Sequence, residues 1–234
     1  MNVVVRLLNP LLMMAFGLGA GVLLARWKGL DWRLYGIGAA AFTGSQIFHI
    51  PFNYWALNPG LVAASEKLSP TGFLVLSALA LGLSAGVFEE TARYLVFKFW
   101  LKSERTWGEA LMFGAGHGGW EAILLGALTL FSVFNLLALR VADLATLITA
   151  ESLALSQTQV DTFWALPWYA VLLGAVERAA TIVFHLSLSV LVLQAFTRGN
   201  PLWWALAVLW HALADAVAVI AIQTTNMYLT EGII

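Results

Sequence analysis

Residues 72–101 read GFLVLSALALGLSAGVFEETARYLVFKFWL. The segment is thirty residues long, well beyond the ~20 that a helix needs to cross a bilayer. Apart from Lys98 near its end, its charged residues all fall in Glu89-Glu90-Thr91-Ala92-Arg93, toward its middle. Ionisable side chains are costly at that depth and usually functional. A helix that only spans lipid has no use for a carboxylate doublet, so this stretch predicts both a membrane-embedded bundle and a polar site inside it.

The rest of the chain agrees. It has 234 residues, 61% hydrophobic and 11% charged, whereas a soluble domain carries about 25% charged residues. Six stretches are long and apolar enough to span, at about 7–25, 34–55, 72–101, 108–138, 163–196 and 201–224. The expected fold class is therefore an all-α integral membrane protein, one domain over residues 1–234 built as a six-helix bundle. External loops are expected at 51–71 and 139–162. In the second loop Val141, Leu144, Ala145 and Ile148 recur at helical spacing, which predicts either a helical connector packed on the bundle's outer end or a lid or docking helix in the interface plane.

Lys and Arg in the loops set the orientation. Arg26, Lys28, Arg33, Lys98, Lys102, Arg105 and Arg198 fall on one side, and Arg6, Lys67 and Arg140 on the other. The richer side is expected to be cytoplasmic, with both termini outside the plasma membrane. The near-neutral balance, net charge −1, excludes nucleic acid as a partner on electrostatic grounds. The absence of cysteine excludes thiol catalysis and thiolate metal sites.

Two further signatures match the first in depth. One is Gly116-His117-Gly118-Gly119-Trp120-Glu121, the other His211-Ala212-Leu213-Ala214-Asp215. Counted from the cytoplasmic helix ends, Glu89, Glu90, His117, His185 and His211 all lie roughly 15–18 Å in, near mid-bilayer. Glu89 with Arg93, His117 with Glu121, His185 with Ser189 and His211 with Asp215 are i, i+4 pairs sharing a helix face. Gly114, Gly116, Gly118 and Gly119 strip side chains from the helix beside His117, leaving room for another backbone or an extended substrate. Glu177-Arg178 lies toward the outer face and reads as a supporting ion pair. His49, at the outer end of its helix with Ser45 and Gln46 beside it, reads as an interface residue.

Carboxylates and imidazoles gathered in lipid suit water activation. By one route Glu89, assisted by His117, is the general base, with His211 and Asp215 stabilising the oxyanion. By the other, His117, His185, His211 and Glu89 bind Zn²⁺. Proton relays use the same residue types, so a proton- or metal-coupled transporter and a catalytically silent scaffold stand as alternatives.

The order Glu-Glu-x-x-Arg, Gly-His-Gly-Gly-x-Glu, Glu-Arg with a following His, and His-x-x-x-Asp, from Phe88 to Asp215, resembles the YhfC family of intramembrane peptidases. That group is related to the CAAX-prenyl-protease/bacteriocin-processing and PrsW families. The resemblance implies a hydrolase acting on a peptide or membrane-protein substrate. It also implies catalytic roles for Glu89, Glu90, His117, His211 and Asp215, supported by Arg93, Glu121, Glu177, Arg178 and His185. The CAAX pattern sets its Arg one residue farther from the glutamates and has Asn where Asp215 stands, which argues against prenylated substrates.

Overall fold

A computed structural model describes residues 2–142 and 149–224. Among them the chain is helical, without strands: α1 (Asn2–Lys28), α2 (Trp32–Phe52), α3 (Asn58–Ser65), α4 (Pro70–Phe99), α5 (Trp107–Val141), α6 (Ala150–Ala165), α7 (Leu173–Thr197) and α8 (Leu202–Thr224). Five helices are long and apolar enough to cross a membrane, namely α1, α4, α5, α8 and a span from Trp168 through α7. The sixth expected span, α2, has the length at 21 residues. It lacks comparable apolarity because Arg33, Gln46 and His49 interrupt it.

Local signals set the ends. Ser69 caps α4 by accepting from the Gly72 amide, with Pro70 in the first turn, and Thr106 with Glu109 forms a capping box on α5. Gly29 and Gly199, at φ 64° and 62°, end α1 and α7 in the left-handed conformation that glycine tolerates. Between α4 and α5, burial pushes the Glu104 carboxyl up, but hydrogen bonds from Arg33 and Ser103 outweigh it and hold the group below the usual carboxylate range.

Two segments differ from expectation. Pro51 does not end α2; the helix runs into a π-helical turn, Asn53–Leu57, and on into α3, so the expected 51–71 loop is largely helical. The stretch 163–196 is split at Pro167, which has no amide proton to continue the ladder. The amphipathic register at Leu144, Ala145 and Ile148 lies outside the described residues; the helix that follows begins at Ala150. Arg6, counted above as a loop charge, is fully buried and donates to the carbonyls of Phe163 (2.7 Å) and Leu166 (3.0 Å) at the end of α6.

α5 is the central element, packed on α1, α2 and α7, while α4 pairs with α8 and α2. The exterior carries large apolar side chains such as Ile47, Leu128, Phe131 and Leu209, whereas Glu89, Glu90, Arg93, His117, His185 and His211 are buried. That inversion of a soluble protein is what lipid requires.

The glycines around His117 serve packing. A Cβ on Gly116 would overlap the Tyr35 carbonyl of α2, and one on Gly119 would sit 2.6 Å from the Gly17 carbonyl of α1. On the other face, a Cβ on Gly118 would lie 2.7 Å from the His185 ring. Of the two uses the sequence suggested for this room, another backbone or an extended substrate, the structure has the first: α2 and α1 take it. Gly116→Ala is accordingly expected to lower stability by about 1–3 kcal/mol, the usual cost of overpacking. Detergent-solution thermal unfolding measures this, and an unchanged midpoint would contradict the close α2–α5 approach.

Candidate active site

Four helices supply the polar cluster. α4 contributes Glu89, Glu90 and Arg93; α5 contributes His117 and Glu121; α7 contributes Glu177, Arg178 and His185; α8 contributes His211 and Asp215. All ten residues named from the sequence fall into one connected network.

Arg93 is its hub. The guanidinium, fully buried, donates Nη1 to both Glu90 oxygens (2.9 and 3.1 Å), Nη2 to His185 Nδ1 (2.6 Å) and Nε to His117 Nδ1 (3.4 Å). Its distance to Glu89 is 3.9 Å. Because Arg has only donors, both Nδ1 atoms must accept, which places the ring protons on Nε2. His117 then donates from Nε2 to Glu89 Oε2 (3.1 Å), and His185 from Nε2 to Glu121 Oε2 (2.7 Å).

The pairing differs from the i, i+4 expectation in one respect. The acid on His117 is Glu89 of the neighbouring helix, whereas Glu121 serves His185 and accepts from Arg178 at 2.7 Å. Arg178 also pairs with Glu177. Ser189 Oγ bonds the His185 backbone carbonyl (2.9 Å), not its ring. His211 keeps its expected neighbour, with Nε2 3.6 Å from Asp215, and its Nδ1 is 2.7 Å from Glu90 Oε1.

Glu89, Glu121, Glu177, Arg178, His185, His211 and Asp215 line a cavity of about 180 Å³ between α7 and α8. Glu90 is not on its wall; its oxygens hold Arg93 and His211. Of the two adjacent glutamates, only Glu89 is exposed to anything that enters.

Glu89, His117 and His185 each present one ligand atom within 4.8 Å of the others. Two imidazoles and a carboxylate form one of the donor sets of catalytic zinc centres, which keep the fourth position open. The residues therefore fit a divalent cation. His211, named with them from the sequence, stands outside the trio, and its Nδ1 is held by Glu90. The opposing group is Arg93. An imidazole that binds metal through Nε2 carries its proton on Nδ1, so the guanidinium and a cation compete for the same two rings.

Sequence reasoning missed a second polar string, on α2. Gln46 Nε2 donates to Glu89 Oε1 (3.0 Å), and His49, expected at the interface, lies 3.3 Å from Gln46 Oε1. The spacing of Gln46, His49 and Asn53 on one helix face was the available signal.

Comparison with known proteins comes out in the same direction. A family model described as YhfC intramembrane metalloprotease matches residues 12–234. A relative from Bacillus subtilis (strain 168), named "Uncharacterized membrane protein YhfC", is 30% identical over 206 residues, covering 87% of this chain and 78% of that protein. No solved structure matches. With buried Glu89, His117 and His185 inside the matched segment, the chain belongs to the YhfC intramembrane metalloprotease family.

Proposed function

We propose that the protein is an intramembrane endopeptidase, hydrolysing a peptide bond of a membrane-associated substrate near mid-bilayer. The observation that carries this reading is the buried Glu89–His117–His185 trio beside a cavity that Glu89 and His185 line together with His211 and Asp215. Glu89, His117 and His185 would hold Zn²⁺, which would supply Lewis-acid polarisation and lower the pKa of water at its open position.

The chain's own groups divide the remaining work. Glu121, accepting from His185 and Arg178, orients the His185 ring. Glu90 holds His211 by Nδ1, which turns Nε2 toward the cavity and Asp215. His211 and Asp215 are thus placed to pass a proton from the attacking water to the departing amine, as a general acid–base pair does. Arg178, bridging Glu121 and Glu177, closes the outer side. The protein is read as one plasma-membrane domain with both termini outside, following the charge asymmetry of its loops.

Elemental analysis of purified wild-type, His117→Ala and Glu89→Ala protein, with reporter cleavage in proteoliposomes, tests the proposal. The expected result is one zinc per wild-type chain, lost with cleavage in both variants. Metal-free protein that cleaves at full rate would overturn the zinc assignment. Proton flux without cleavage would replace the peptidase by a transporter.

A further inference from the structure

The α2 string runs in one direction only. An ionised carboxylate is an acceptor, so the Gln46 amide must turn Nε2 to Glu89 Oε1 (3.0 Å), leaving its Oε1 toward His49. His49 must then donate from Nδ1, at 3.3 Å, which makes Nε2 an acceptor. Asn53 meets that requirement with Nδ2 at 2.9 Å, and its own Oδ1 accepts from Ser84 Oγ at 3.0 Å. One arrangement of the amide and imidazole protons satisfies Gln46, His49 and Asn53 with their donors directed toward Glu89, while the single Ser84 hydroxyl proton has Asn53 Oδ1, His49 Nε2 (3.0 Å) and the Leu81 carbonyl (2.9 Å) within reach.

Packing holds this line in place. The His49 ring stacks on Phe88, the residue preceding Glu89, with centroids 5.3 Å apart and planes inclined 27°. Phe52 packs against the same Phe88 ring at 5.2 Å. Asn53 opens the π-helical turn Asn53–Leu57, a distortion frequent at functional sites. The string reaches Glu89 from α2, while the cavity meets it from the α7 and α8 side. Gln46 is gripping one carboxylate oxygen from behind.

We infer that Gln46 and His49 are positioning residues for Glu89: the Ser84–Asn53–His49–Gln46 chain fixes Oε1 and leaves Oε2 as the working oxygen. Neither side chain lines the cavity, so each acts through Glu89. A hydrogen bond to a charged group is worth about 10- to 100-fold in an equilibrium or rate. The inference rests on the peptidase reading for its kinetic consequence and on the geometry alone for its effect on Glu89.

The test uses full-length protein in nanodiscs carrying Gln46→Leu, His49→Leu, His49→Asn or the double Leu substitution. Asn at position 49 keeps an amide donor near the place of Nδ1. Two readouts are taken: kcat and KM on a membrane reporter, and the rate at which dicyclohexylcarbodiimide labels Glu89, mapped by mass spectrometry. The second needs no turnover. Gln46→Leu and His49→Leu are expected to lower kcat roughly 10- to 100-fold at unchanged KM and to speed Glu89 labelling by a similar factor. His49→Asn should restore most of both, and the double variant should be no worse than Gln46→Leu, since members of one chain do not add.

Unchanged labelling in Gln46→Leu, or His49→Asn behaving like His49→Leu, would overturn the positioning role. Labelling that responds as expected in a wild-type protein without cleavage or zinc would uphold the chain and end the peptidase reading instead.

Discussion

Glu89→Gln is expected to reduce peptide hydrolysis by about 10²-fold or more, because it alters one of the three groups that would hold zinc, and to release bound zinc. The substitution is nearly isosteric, so the reason lies in the hydrogen-bond pattern. Glu89 Oε1 takes the Gln46 amide and Oε2 takes His117 Nε2. A carboxamide can satisfy only one of them as an acceptor, and its NH₂ then faces a donor. His117 cannot simply exchange tautomers, because Arg93 Nε donates to its Nδ1. Glu90→Gln supplies the contrast. Glu90 is off the cavity wall, so its loss acts through His211 and Arg93 and is expected to leave zinc bound while slowing turnover. Zinc counts and single-turnover rates for the two variants separate the roles. Equal loss of zinc in both would refute the division of labour between the adjacent glutamates.

Arg93→Met is expected to cost about 3–5 kcal/mol of folding stability, as removing one partner of a buried ion pair does. Arg93 and Glu90 are both fully buried, and four acceptor atoms on three residues depend on the guanidinium. Methionine matches the length of the aliphatic stem but leaves the Glu90 carboxylate uncompensated except by His211. Adding Glu90→Gln removes the stranded charge and should recover a large part of the loss without restoring turnover. Thermal unfolding in detergent reads the pair. If Arg93→Met unfolded at the wild-type temperature, the hub role assigned to the guanidinium would be wrong.

Much of this was legible beforehand, for physical reasons that differ by residue. Hydropathy reveals spans because lipid demands about 20 apolar residues, and Glu89, Glu90, Arg93, His117, His185 and His211 stand out because nothing apolar needs them. Their partners were harder to read. The i, i+4 rule describes one helix surface, so it joined His117 to Glu121, whereas the crossing of α5 with α4 and α7 sends those two side chains to Glu89 and His185. Gly116 and Gly119 read as room for another backbone or a substrate because sequence does not say which fills a notch; the Tyr35 and Gly17 backbones do. Gln46 was named only as a neighbour of His49, and Asn53 was overlooked, because neutral amides, unlike charges, are unremarkable at a helix end. α2, from which the sequence named only an interface histidine, carries the support of Glu89.

The competition between Arg93 and a cation has a bearing on how the protein is made. Many small metal-dependent domains are unfolded until the ion arrives, because their ligands repel or strand one another without it. Here the guanidinium serves as an internal counter-ion: Glu90, His117 and His185 are satisfied by a group the ribosome has already supplied. Insertion into the bilayer and assembly of the helices can therefore be finished before any metal is acquired. A metal held by Glu89, His117 and His185 would then be loaded after folding rather than being required for it.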